Sequence, residues 1–355
     1  MSPKGFAILA VVAAVSVVGA GIAVTMQPDY GGTKAAGTKV FPNLMDRVDS
    51  VARIQVVHPE KTLNMKRQGD GWLLAEADDY PATTKNVNKF LLDLAQLSLY
   101  EPKTKSKNLW EKLWVDDPQR KGGQAKHVTL FDNDGKIIQE VIIGRTKYDV
   151  DGSTMGGAYI RRPSEDQAWL AKGDIDANYE PRNMFERAFM DMNVKRVKRV
   201  VLRQPTGEEI RISKDDPATE HYRVDNLPTG RKLRSEFEPD DLGTVFAGFR
   251  VDDVVNATKK DFPADRTIVA EYETFDGMTV KARLYIEGEV HWMTFEAGTV
   301  PGAAPAEAGK DDPVKDAETI NRHAKGWAYD ISSYRVTALK KKMADMLAEE
   351  PKAGS

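Results

Sequence analysis

Gly5–Met26, 22 consecutive residues without a charged side chain, constrains this chain more than any other segment. As a helix rising about 1.5 Å per residue, the run reaches roughly 33 Å, enough to cross a hydrocarbon core. A cleavable signal peptide carries a shorter apolar stretch, about 7–15 residues, followed by small residues at the cut. Here the run ends in Ala23-Val24-Thr25-Met26-Gln27-Pro28, with no Ala-x-Ala. The expectation is an uncleaved transmembrane anchor, with a cleaved leader as the alternative. The chain has no cysteine, which excludes a lipoprotein anchor. Residues 1–4 carry Lys4, and a short positive head stays on the cytoplasmic side. The expected location is therefore a bacterial inner membrane, single-pass, with the C-terminal domain in the periplasm. A cysteine-free chain suits an exported protein that needs no disulfide.

More than three hundred residues follow the anchor, too many for one comfortable core, so two modules are expected. A net charge of −3 offers no broad basic field for nucleic acid. Lys195, Arg196, Lys198, Arg199 and Arg203 alternate with Val194, Val197, Val200 and Leu202, the pattern of one solvated strand face.

Period-two alternation and turn signals place strands at 51–57, 63–67, 72–74, 127–131, 137–143, 158–162 and 167–171. Val87, Phe90, Leu91, Leu94 and Leu97 recur at spacings of three and four, one apolar helical stripe. A shorter helix carries Leu109, Trp110, Leu113 and Trp114. The pattern then begins again about 140–150 residues later: Arg199-Val200-Val201-Leu202 answers Arg53-Ile54-Gln55-Val56, and strands at 267–274, 279–286 and 290–295 answer the first hairpin. A strand at 327–331 and a helix bearing Val336, Leu339, Met343 and Leu347 close the chain. The predicted fold class is α+β: two related modules of twisted antiparallel sheet with a packed helix, preceded by one transmembrane helix. The expected divisions are a head at 1–4, the anchor at 5–26, a linker at 27–47 and a first module at 48–180. A helical connector at 181–194 leads to a second module at 195–348, with a flexible insertion at 298–315 and a tail at 349–355.

No catalytic constellation stands out. The five histidines, His58, His127, His221, His291 and His323, show no pair at metal-ligand spacing. Placing Gly135 at position six of a calcium loop puts Leu130 and Val141 at positions one and twelve, so Asp132-Asn133-Asp134-Gly135 reads as a hairpin turn. Gly152-Ser153-Thr154-Met155-Gly156-Gly157 lacks the Gly-Lys-Ser/Thr of a phosphate loop. The acidic doublets abut proline or helix starts, and the six tryptophans fall at positions expected to face a core. The reading is of a non-enzymatic protein with no cofactor and no metal.

Leu113-Trp114-Val115-Asp116-Asp117-Pro118, the Val128–Ile143 hairpin, Ile143-Gly144-Arg145 and Ala158-Tyr159-Ile160-Arg161-Arg162-Pro163 together resemble the family labelled domain of unknown function 4340. Gly71-Trp72, Tyr80-Pro81-Ala82 and Met190-Asp191-Met192 fit in the same order, so the resemblance runs from about Val48 to Leu202. At Trp114 the family's segment more often carries a small residue such as Gly. The resemblance implies a single-span envelope protein, often encoded near gliding-motility-like ABC transporter genes. It carries over no catalytic or binding residues. The expected function is that of an accessory or scaffold protein of an inner-membrane complex, with inner-membrane partners such as an ABC transporter permease and ATPase. The alternative is a periplasmic module that binds cell-wall glycan or lipid. The expected contact surface is the loop 145–157, long and polar for a hairpin connection, with Arg145, Tyr148, Asp149 and Asp151, joined by Arg161 and Arg162.

Overall fold

Period-two burial organises most of this chain. The computed structural model describes residues 36–152, 155–175, 177, 180–303 and 311–349. Strand β1 (Arg53–Val57) buries Ile54 and Val56 and leaves their neighbours half-exposed. Successive strand side chains point to opposite faces, so this alternation gives one face to the core. The first sheet adds β2 (Thr62–Gln68), β3 (Gly71–Leu74), β4 (Tyr80–Ala82), β5 (Ser98–Thr104), β6 (Lys126–Phe131), β7 (Ile137–Lys147), β8 (Gly157–Arg161) and β9 (Ala168–Lys172). Its order is β4-β3-β2-β1-β6-β7-β8-β9-β5. Between β4 and β5, helix α1 (Thr84–Gln96) buries Val87, Phe90, Leu91 and Leu94 of the expected stripe together with Ala95. Leu97, the stripe's last residue, is buried just past the helix end. Helix α2 (Trp110–Leu113) follows β5. Asp132 Oδ1 accepts from the Asp134 and Lys136 N–H groups (3.0 and 2.8 Å), so the acidic β6–β7 connection is a hairpin turn.

The second sheet holds β10 (Val197–Arg203), β11 (Glu209–Ser213), β12 (Arg223–Val224), β13 (Val251–Asn256), β14 (Thr267–Thr274), β15 (Met278–Glu287), β16 (Val290–Thr299) and β17 (Trp327–Ile331). Its order is β12-β11-β10-β14-β15-β16-β17-β13. Both sheets follow one connectivity. A meander runs outward from the first strand, a helix leads to the far edge (β5 or β13), and the chain returns to pair with the first strand. A second meander then fills the gap.

The helices differ between the sheets. Helix α3 (Asp240–Thr244) occupies the place of α1 in chain order but has five residues. Beyond it, the Val245, Ala247 and Gly248 carbonyls accept from the Arg335 guanidinium instead of continuing a helical ladder. Helix α4 (Pro313–Ala324) falls partly where a flexible insertion was expected. Gly298 and Thr299 finish β16, Pro313–Lys315 open α4, and 304–310 lie outside the described residues. Asp312 caps α4 through the Val314 and Lys315 N–H groups. Asn321 clamps α4 to β16, accepting from Ala297 N–H (2.9 Å) and donating to its carbonyl (2.7 Å). The expected C-terminal helix is two pieces, α5 (Ser333–Leu339) and α6 (Met343–Met346).

The expected helical connector is corrected to a 3₁₀ turn, Pro181–Asn183, followed by an irregular strap. Its backbone bonds outward rather than to itself: Met184 and Arg187 carbonyls accept from Thr83 and Val251 N–H groups, and Met192 N–H donates to Phe246. The expected linker also differs where it is described. Val40, Phe41 and Leu44 are buried, and Val40 N–H donates to the Leu97 carbonyl. The apolar run at 5–26 lies outside the described residues; no helix among those described is long and apolar enough to cross a membrane.

The chain packs as two units, Met1–Asn64 with Val87–Tyr179, and Met65–Asn86 with Glu180–Ser355. Residues 65–86, though strand-paired in the first sheet, thus belong to the second unit. There the Asp78 carboxylate accepts from Asn256 N–H (2.8 Å) and pairs with Lys259.

Asp240, the first residue of α3, accepts from Tyr222 N–H (3.0 Å) and pairs with His221 Nδ1 (2.7 Å). That bond raises the His221 pKa above its ordinary 6.5. A histidine raised in the folded state gives stability that is present below its unfolded pKa and lost as pH rises through the folded one. His221→Gln should therefore lose more stability at pH 5.5 than at pH 8.5. Equal losses in urea melts at the two pH values would refute it.

Candidate functional site

The loop between β7 and β8 is shaped by its own backbone. Asp151 and Gly152 both take positive φ (64° and 74°), and Gly152 N–H donates to Asp149 Oδ1 (2.8 Å). Lys172 of β9 donates to Asp151 Oδ2 (2.8 Å) and ties the loop to the sheet. Val150 is fully buried beneath it. Ser153 and Thr154 lie outside the described residues.

A cavity of about 410 Å³ opens beside this loop, wholly within the first unit. Its lining includes Trp114, Gly144, Tyr148, Met155, Gly156 and Gly157. The glycines are there because the backbone is close. A Cβ on Gly144 would overlap the Leu113 and Trp114 carbonyls, and one on Gly157 would overlap the Ala171 carbonyl. Around the cavity stand three large side chains that water reaches: Tyr148 at 94% exposure, Met155 at 52% and Trp114 at 40%. Sequence reasoning assigned Trp114 to a core. It instead ends α2 in the left-handed conformation, φ 60°, which swings it off the apolar helical face. Only glycine takes that dihedral without cost, so the tryptophan holds it under strain.

The six residues singled out in the sequence do not form one cluster. Tyr148 and Asp149 sit at the exposed loop tip; Asp151 holds the loop down. Arg145, exposed on β7, lies with its guanidinium 5.7 Å from the Tyr159 ring centre. Arg161 is 6% exposed and turns inward. Its Nε donates to the Val115 carbonyl (2.9 Å), its Nη1 to the Glu165 carbonyl (3.2 Å), and its guanidinium lies 3.9 Å from the Trp110 ring centre. Burial lowers the Arg161 pKa. Arg162 is half-buried, donating to the Val40 carbonyl (2.7 Å) and to Glu165 Oε1 (3.0 Å). The two arginines brace the first unit. The exposed surface is carried by Trp114, Tyr148 and Met155, of which sequence reasoning singled out Tyr148.

Among the described residues, no three His, Asp or Glu side chains gather as a metal site would require. Residues 72–267, more than half of the chain, match the family model described as Domain of unknown function (DUF4340). No match was found among curated proteins or among solved structures.

Proposed function

The chain belongs to the DUF4340 family, and from that premise we propose that it is a non-catalytic, membrane-anchored accessory protein that docks onto an inner-membrane partner. The supporting observation is the apolar rim of Trp114, Tyr148 and Met155 around a glycine-floored cavity. Large exposed apolar side chains grouped together on a polar surface are the usual anchors of protein interfaces. The uncharged run Gly5–Met26 supports a single transmembrane anchor. The common connectivity of the two sheets supports an internal duplication, with the contact face specialised on the first copy. A permease and ATPase of an ABC-type transport system are the proposed partners, and the periplasm the proposed compartment.

Purification of the full-length protein from native membranes in mild detergent tests this reading. Stoichiometric recovery of a permease and its ATPase is the expected result, with Tyr148→Ala and Trp114→Gly each lowering recovery at least about tenfold. Trp114→Gly should keep stability within about 1 kcal/mol of the parent, because release from the left-handed conformation offsets the lost contact. Undiminished recovery with both variants would remove the rim from the interface. Recovery of the protein alone, with retention on peptidoglycan, would favour a glycan-binding module.

A further inference from the structure

A second cavity, of about 440 Å³, lies within the second unit and shares no residue with the contact surface. Tyr80 and Pro81 of β4, Glu186 of the strap, Arg322 and His323 near the end of α4, and Trp327 of β17 line it.

Hydrogen bonding fixes the imidazole. The Tyr329 hydroxyl donates its single proton to the His323 carbonyl (2.6 Å). The Tyr80 hydroxyl, 3.0 Å from Tyr329 Oη, must then be the donor to it. Tyr80 has only lone pairs left for His323 Nδ1, 3.4 Å away. The ring is satisfied with its proton on Nδ1, which leaves Nε2 an acceptor. Phe189 stacks on the imidazole, centroids 5.2 Å apart at 17°, and sets its plane. Burial lowers the His323 pKa, which keeps the ring neutral at pH 7.

The charged groups are placed differently. Glu186 and Arg322 are both exposed, and no ion pair joins them among the described residues. Glu186 Oε1 accepts from Ala188 N–H (3.1 Å), while the Arg322 guanidinium has no partner among the described residues. A ligand of one charge would satisfy one of these groups and face the other as a like charge. A ligand carrying both charges matches both, and the Trp327 and Pro81 wall accommodates an apolar body between them.

We propose that this cavity binds a zwitterion with an apolar side chain, an amino acid or short peptide, its carboxylate on Arg322 and its ammonium group between Glu186 and His323 Nε2. Its lining residues are not those of the contact surface, so the proposal does not rest on partner docking. Calorimetric titration of the full-length protein in detergent with L-leucine, leucinamide and N-acetylleucine tests it. Leucine should bind with a millimolar or tighter Kd, and each blocked analogue at least about tenfold more weakly. Arg322→Ala should abolish the preference for leucine over leucinamide, and Glu186→Gln the preference over N-acetylleucine. Both side chains are exposed, so unchanged thermal melting separates lost binding from lost fold. No heat with leucine or dileucine up to about 20 mM, equal affinity for all three probes, or preferences that survive both substitutions would overturn the proposal.

Discussion

Replacing Arg161 by alanine is expected to destabilise the first unit by about 3–4 kcal/mol. The cost comes from what is left behind. The Val115 and Glu165 carbonyls lose a charged donor, and the Trp110 ring loses the guanidinium stacked 3.9 Å from its centre. No water-exposed route replaces these bonds, since Arg161 is 6% exposed. Arg161→Lys should recover part of the loss, because an ammonium keeps the charge but cannot present a planar fork to carbonyls in two directions. Arg162→Ala should cost about 1 kcal/mol, since its guanidinium is half-exposed and its pairing with Glu165 is partly in water. Urea unfolding distinguishes the two through midpoint shifts at constant slope. An Arg161→Ala midpoint equal to that of Arg162→Ala would show that the buried array contributes no more than a surface pair.

Gly144→Ala is the second large effect, expected at about 3 kcal/mol. The added Cβ would overlap the Leu113 and Trp114 carbonyl oxygens and Val115 Cγ1. Two of these three atoms are backbone, and the Trp114 turn beneath them already holds a strained dihedral, so the overlap cannot be relieved by a rotamer change. Gly135→Ala is the matched control. Its φ of 78° disfavours a side chain, but nothing lies within 4 Å of the new atom, so about 1 kcal/mol is expected. Thermal melting that ranked Gly135→Ala as the costlier change would contradict the close approach. Because Gly144 lines the cavity beside Tyr148, Gly144→Ala should also lower partner recovery.

Strand β17 and strand β14 were legible to the residue, and the stripe Val87, Phe90, Leu91, Leu94 was legible as a helix face. The repeated order of strands was legible too, although the edge strands β5 and β13 left too little alternation to read. Helix α4 was missed because its buried side are the small or isolated residues Ala317, Ile320 and Ala324, a faint stripe next to an Ala/Pro/Gly-rich segment. The strap after Pro181 was misread because Met184, Phe185, Phe189 and Met190 have helix-compatible spacing, while its backbone partners sit on distant segments.

Sequence by itself determined the periodicities, the turns and the alternation of buried and exposed positions, because these arise from dihedral preferences and apolar spacing within a few residues. The tertiary structure alone decided that Arg161 is a brace while Tyr148 stays in water, that Trp114 leaves the core, and that Tyr80 meets His323 across 243 residues of chain. The reason is that a polar side chain's fate depends on which carbonyls the rest of the fold leaves unpaired, and that is a property of packing rather than of neighbours in sequence.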